Sequence, residues 1–174
     1  MVRREAGQAG PRVSYTTGTH FMQHFDADYS ERLCVRLEAI PPDRVPLWGK
    51  LRKQDLIEHL IWTLRHAMGR STKVPDCSTW FMCRILKPLI LAGIIRIPRN
   101  LHMPEQLAGQ GIHLREPGDM ETLQALLEEY LRQVQDDDLV PAPHPFFGRM
   151  SVDEWDRLHV LHFEHHLRQF NAPE

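Results

Sequence analysis

Four histidines fall within eight residues late in the sequence: His159, His162, His165 and His166, in the run LHVLHFEHHLRQF. Read as an α-helix, residues four apart stand one above the other on one face, so His162 and His166 project side by side. Their imidazoles are then close enough to share one metal ion. The same arc carries Trp155, His159, Gln169 and Phe170, whereas Glu164 and Arg168 are expected to point toward water. Several imidazoles on an inward face need partners, because a buried polar ring without one is costly. A metal ion is the simplest shared partner. A third ligand is expected from another helix, and His59, in QDLIEHLIWTL, is the best placed. Round that helix it groups with Leu56, Thr63 and His66, beside an apolar arc that includes Trp62 and Ala67. Three neutral nitrogens suit zinc, nickel or iron(II), and leave a coordination position for water or a substrate.

The competing reading is plain. With 11 histidines in the chain, an HxxxH spacing also arises by chance, and an inward histidine is often a hydrogen-bonded core residue. His66, His159 and His165 are read as partners of the ligand imidazoles or as ordinary helix residues. Gln169, one turn beyond the pair, is placed to bond a ligand ring or a substrate, or else a backbone group. Thr63 and Trp155 are further candidates for contact with a substrate, with Trp48 and Trp155 expected to wall the site. A bis-histidine haem is the weakest alternative, since ligands four apart on one helix sit side by side rather than opposite each other.

These side chains must be positioned by helices. The first is expected from about Asp28 to Ile40, with Leu33, Val35, Leu37 and Ile40 as its apolar positions, ended by PPDRVP. A second is expected to begin near Trp48 and close at Gly69. After the loop STKVPDCST, WFMCRILKPLILAGII reads as helical, with Pro88 kinking it or opening a new segment. Residues 96–118 are rich in proline and glycine and read as a long excursion. DMETLQALLEEYLRQVQ is an amphipathic helix with Met120, Leu123, Leu127, Tyr130, Leu131 and Val134 on its apolar side. Ser151 with Glu154 is a capping-box pattern that opens the histidine helix. No convincing period-2 alternation occurs. The fold class is therefore all-α, a four-helix bundle with a long loop and helical insert between its second and fourth helices.

Composition narrows the partners. The chain has 174 residues and a formal net charge of −2, with no basic stripe for nucleic acid. Residues 1–18 are expected to be a flexible lead-in and 19–174 one domain. The longest apolar run, PLILAGII at 88–95, is far short of the roughly 20 residues needed to span a bilayer. That run is expected in the core, or at the interface of a homodimer. Cys34, Cys77 and Cys83 lack a metal-site spacing and suit a reducing cytoplasm.

WGK followed by LRKQDLIEHL, with HPFFGRMSVDEW leading into LHFEHHLRQF, resembles the DinB/YfiT-like superfamily of metal-dependent bundles. Within it, the chain is similar to a bacterial branch with an HP-x-FG turn and a terminal HHLRQF. The resemblance covers roughly residues 25–171. It implies a four-helix bundle whose metal is held by one histidine of the second helix and two of the fourth, here His59, His162 and His166. It also implies a metal-dependent hydrolase or a thiol S-transferase, in which the metal activates water or a low-molecular-weight thiol toward a small-molecule substrate. The alternative is a non-catalytic bundle, metal-stabilised or metal-free, acting as a binding or oligomerising protein.

Overall fold

A computed structural model describes residues 23–71, 74–99 and 114–173. The expected lead-in at 1–18 and much of the insert lie outside them. Among the described residues the protein is all-helical, with helices α1 (Ala27–Glu38), α2 (Lys53–Ala67), α3 (Lys87–Leu91), α4 (Met120–Gln135) and α5 (Val152–Gln169).

Each long helix starts where the sequence supplies an acceptor for its free backbone N–H groups. Asp26 accepts from the Tyr29 amide at 2.8 Å, and Asp119 from the Thr122 amide at 2.9 Å. Ser151 and Glu154 form the expected reciprocal box, at 3.2 and 3.0 Å. Helix α2 starts at Lys53, not near Trp48. Gly49 turns the chain at φ 76°, Arg52 is extended, and the Asp55 carboxylate takes the Arg52 amide at 3.0 Å. The end of α2 is as expected. Gly69, at φ 72°, and Arg70 donate back to the His66 and Arg65 carbonyls, which a left-handed glycine permits.

Pro88 opens a new segment rather than kinking a continuous one. A π-helical turn, Met82–Leu86, precedes it and gives way to α3, because proline lacks the amide that would continue the earlier ladder. The helical run stops at Ala92, short of Ile95, at Gly93 with φ 71°. Ile90 and Leu91 enter the core, while Ile94 is 71% exposed, and Trp80 and Phe81 are exposed as well. The apolar run 88–95 is thus split between core and surface.

Helices α1 and α2 each pack against α4 and α5, and α3 lies on α5. The core they enclose includes Leu37, Leu56, Leu60, Ile61, Leu123, Tyr130, Phe163 and Leu167. Three expectations about faces fail. Val35 is 61% exposed, and Leu126 is buried in its helix instead of being left out of the apolar side. Glu164 does not face open water. It receives Arg36 at 2.7 Å and the Tyr29 hydroxyl at 3.4 Å, which clamps α1 to α5. Lys87 to Glu154 at 2.9 Å, and Arg157 to the Leu91 carbonyl, fasten α3 to α5 in turn. No helix among the described residues is long and apolar enough to cross a membrane.

Candidate metal centre

Helix α2 presents His59 toward α5, where His162 and His166 stand one turn apart. Their Nε2 atoms converge: His162 lies 3.1 Å from His59 and 3.0 Å from His166. The proton positions decide what this means. His59 Nδ1–H donates to the Leu114 carbonyl at 2.7 Å, and His166 Nδ1–H donates to Gln169 Oε1 at 2.8 Å. A neutral imidazole has a single N–H, so the Nε2 of both rings is a bare lone pair. His162 has one N–H at most to offer two acceptors. At least one of the two close contacts is therefore not a hydrogen bond but a meeting of lone pairs. A tetrahedral ion with bonds of about 2.0–2.1 Å holds its nitrogens roughly 3.3 Å apart, close to this spacing. The three histidines form a group that can hold a metal ion.

Electrostatics agree with neutral donors. Burial holds all three below the ordinary histidine value, His162 well below it and His166 at about 3, with the neighbouring rings adding to the shift at His162 and His166. Each ring is thus neutral, with one nitrogen lone pair available to a cation.

The outer partners are fixed from two directions. Gln169 accepts from His166 and donates its Nε2–H to the Trp48 carbonyl at 2.7 Å, while the Leu47 amide donates to the Gln169 carbonyl at 2.7 Å. The segment 114–118 runs along α2. The Glu116 amide donates to the Glu58 carbonyl at 3.1 Å, Arg65 pairs with Glu116 at 2.6 Å, Arg115 pairs with Asp55, and Gln54 donates to the Gly118 carbonyl at 2.8 Å. A Cβ on Gly118 would lie 2.6 Å from Ile61 Cδ1 and 3.1 Å from Thr122 Cγ2, so these side chains would have to shift to admit one.

The histidines open onto a cavity of about 610 Å³ with mainly apolar and aromatic walls. Trp48 and Trp155 do wall it, together with Trp62, Phe146, Phe147 and side chains from the α3 region. The remaining candidates divide. Thr63 lines the cavity, but its hydroxyl donates to the His59 carbonyl at 2.9 Å. His165 is buried against Trp48, with ring centroids 5.5 Å apart, and also lines the cavity. Burial, with Arg168 and Arg99 nearby, pushes His165 down to about 4. Trp155 donates to the Ala142 carbonyl at 2.8 Å. His66 is not brought to the centre. It is stacked on Trp62 and satisfied by Ser71 at 2.7 Å and the Pro143 carbonyl at 3.1 Å. His159 has no hydrogen-bond partner on either ring nitrogen among the described residues.

Sequence reasoning missed two contributors. The Leu114 carbonyl is a backbone group in an irregular segment, and nothing in its side chain signals it. His144, in the HPFFG turn, also lines the cavity; its signal was the turn motif itself.

Residues 57–173, more than half of the chain and all three converging histidines, match the family described as "Protein of unknown function (DUF1569)". The chain belongs to this family. Neither a curated protein nor a solved structure matches it. In this DUF1569 protein the matched region begins inside α2, so the complete histidine group and the HPFFG turn fall within the family's span.

Proposed function

We propose that the protein is a metal-dependent enzyme of the DinB-like kind, with His59, His162 and His166 as ligands of zinc, nickel or iron(II). The observation that carries this is the convergence of three Nε2 atoms, two of them stripped of protons by fixed outer partners. A divalent ion there supplies Lewis acidity, lowering the proton affinity of a water or low-molecular-weight thiol placed against it. The chain's own residues do the rest. Leu114 and Gln169 orient the ligand rings, and the tryptophans and phenylalanines of the cavity exclude bulk water from a small-molecule substrate. The reaction is a hydrolysis or a thiol S-transfer in a bacterial cytoplasm. The cavity favours this over a purely structural metal, because a stabilising site has no use for a chamber of about 610 Å³ beside it.

Elemental analysis of protein purified without a histidine tag tests the reading. About one divalent ion per chain is expected, lost in His162→Ala. Trace metal that does not change in that variant would sink the proposal. Turnover assays with thiols and ester or amide substrates then separate the enzyme from a bundle that merely keeps a metal.

A further inference from the structure

The cavity contains a second polar device that the histidine group does not use. His144 opens the turn 144–148, closed by reciprocal backbone bonds between His144 and Gly148 at 2.7 and 2.9 Å. Gly148 sits at φ 64°, and a Cβ there would lie 3.2 Å from Cys83 Sγ. The Pro145 carbonyl is held by the Cys77 amide at 2.8 Å, so the turn is anchored on both sides. Within it, the amides of Phe146 and Phe147 both donate to His144 Nδ1, at 3.1 and 3.2 Å. The ring is stacked on Phe147, centroids 4.7 Å apart, and lies beside Trp155 at 5.4 Å.

Two amides aimed at Nδ1 leave no room for a proton there. Burial, with His66 next in effect, holds the ring at about 3, so it is neutral at physiological pH. Its one proton is therefore on Nε2. No acceptor among the described residues takes that proton, and the nitrogen is not sealed in protein as those of His159 are. The result is a rigid, uncharged N–H donor in an apolar wall.

We infer that His144 Nε2–H is a substrate-binding donor, and that the cavity takes a molecule with an apolar body and an acceptor oxygen, a carbonyl or carboxylate, placed on this donor. The inference rests on the cavity being the substrate chamber, but not on which ion the three histidines hold. A donor-only head group has nothing to offer His144, whereas an acceptor replaces the missing partner in a water-poor site. The positioning is of the ligand; no bond is made or broken at His144.

Three probes with one body separate the alternatives: octanoate, octanamide and octylammonium. They are titrated into EDTA-treated and zinc-loaded full-length protein and followed by tryptophan fluorescence. The ¹⁵N resonance of His144 Nε2 is read in histidine-labelled protein. Octanoate and octanamide are expected to bind at least about tenfold more tightly than octylammonium in the zinc-loaded form, where the lone pairs of the three histidines are taken, and to shift that resonance in both forms. If octanoate alone does so, the acceptor is a carboxylate; if both do, a carbonyl suffices. His144→Asn keeps a side-chain oxygen where Nδ1 accepts the turn amides and removes the Nε2 donor. It should weaken both acceptor probes about tenfold while zinc affinity stays unchanged and the helical circular dichroism spectrum shows the fold retained. Alike binding of the three probes, no binding at millimolar concentration, an unmoved resonance, or an undiminished affinity in His144→Asn each overturns the inference. Because the EDTA-treated arm contains no metal, loss of zinc binding in wild type would count against the metal reading alone.

Discussion

His159 and His162 lie within one turn of each other on α5, and burial holds both neutral, yet their surroundings share almost nothing. His159 is 0% exposed and caged by Phe25, Tyr130, Trp155 and Phe163, with ring centroids 5.0–5.3 Å away. Neither of its nitrogens has a hydrogen-bond partner among the described residues. His162 meets two other imidazoles whose protons are already directed elsewhere. The first histidine is a ring that fills space at a polar cost; the second is one donor of a set that can hold a cation. Residue type is the same in both places, and both rings are held neutral by their surroundings. What distinguishes a site is where the protons of the neighbouring rings are fixed.

Four substitutions sharpen or break that contrast, and metal affinity ranks them. His162→Ala removes a donor that the other two rings cannot replace, so stoichiometric zinc binding should vanish by calorimetry. Retained binding would mean that the convergence of the three rings is incidental. Gln169→Leu keeps all three donors but frees the His166 ring and its tautomer. An affinity loss of about 10–100-fold is expected, the range typical of a ligand's hydrogen-bonding partner. Gly118→Ala acts at longer range. The added methyl meets the Ile61 and Thr122 side chains, and the crowding is shared between a shift of those side chains and a lift of the 114–118 segment that loosens the Leu114 carbonyl on His59. A destabilisation of about 1 kcal/mol and a few-fold weaker zinc binding should follow. Chemical denaturation and competitive metal titration measure the two.

His159→Phe should have no effect on metal affinity and the opposite effect on stability. It replaces an unsatisfied ring with an apolar one of similar shape, which should stabilise by about 1–2 kcal/mol at neutral pH. For a chain of this size that is a rise of several degrees in melting temperature. The pH dependence carries a sign as well. His159 has its folded-state value pushed from 6.5 to about 3 by burial, so the unfolded chain takes up the proton first as the solution is acidified. Its titration adds no pH dependence above about 6.5, and stability is lost as the pH falls from there toward about 3. The slope is about 1.4 kcal/mol per pH unit for one such group. The phenylalanine variant should show a shallower acid decline by that amount. Equal slopes would mean that His159 is not the sealed ring described above.

Much of this was legible in the amino-acid sequence, for reasons that can be stated. The spacing of His162 and His166, the Ser151–Glu154 box and the extent of α4 all follow from local periodicity and capping, which need no knowledge of the rest of the chain. His59 was found because a helix face can be computed from the sequence. The start of α2 was misplaced because Trp48 to Arg52 carries residues compatible with a helix, while the left-handed turn at Gly49 and the Asp55 carboxylate on the Arg52 amide delay the helix to Lys53. Glu164 was misread because its partner, Arg36, is 128 residues away. The Leu114 carbonyl and the His144 Nε2 donor stayed out of view for a related reason. The first is backbone in an irregular segment, and the second becomes a donor only through the amides of its own turn.

Gln169 shows what an amide can do that a carboxylate at the same position could not. On one side it must accept from His166, and on the other it must donate to the Trp48 carbonyl. A glutamate would satisfy the first demand and set oxygen against oxygen at the second. The amide also adds no negative charge, so three uncharged imidazoles would leave a divalent cation its full double charge. The polarity of a single side chain would thereby favour an electron-poor centre in any divalent ion held there.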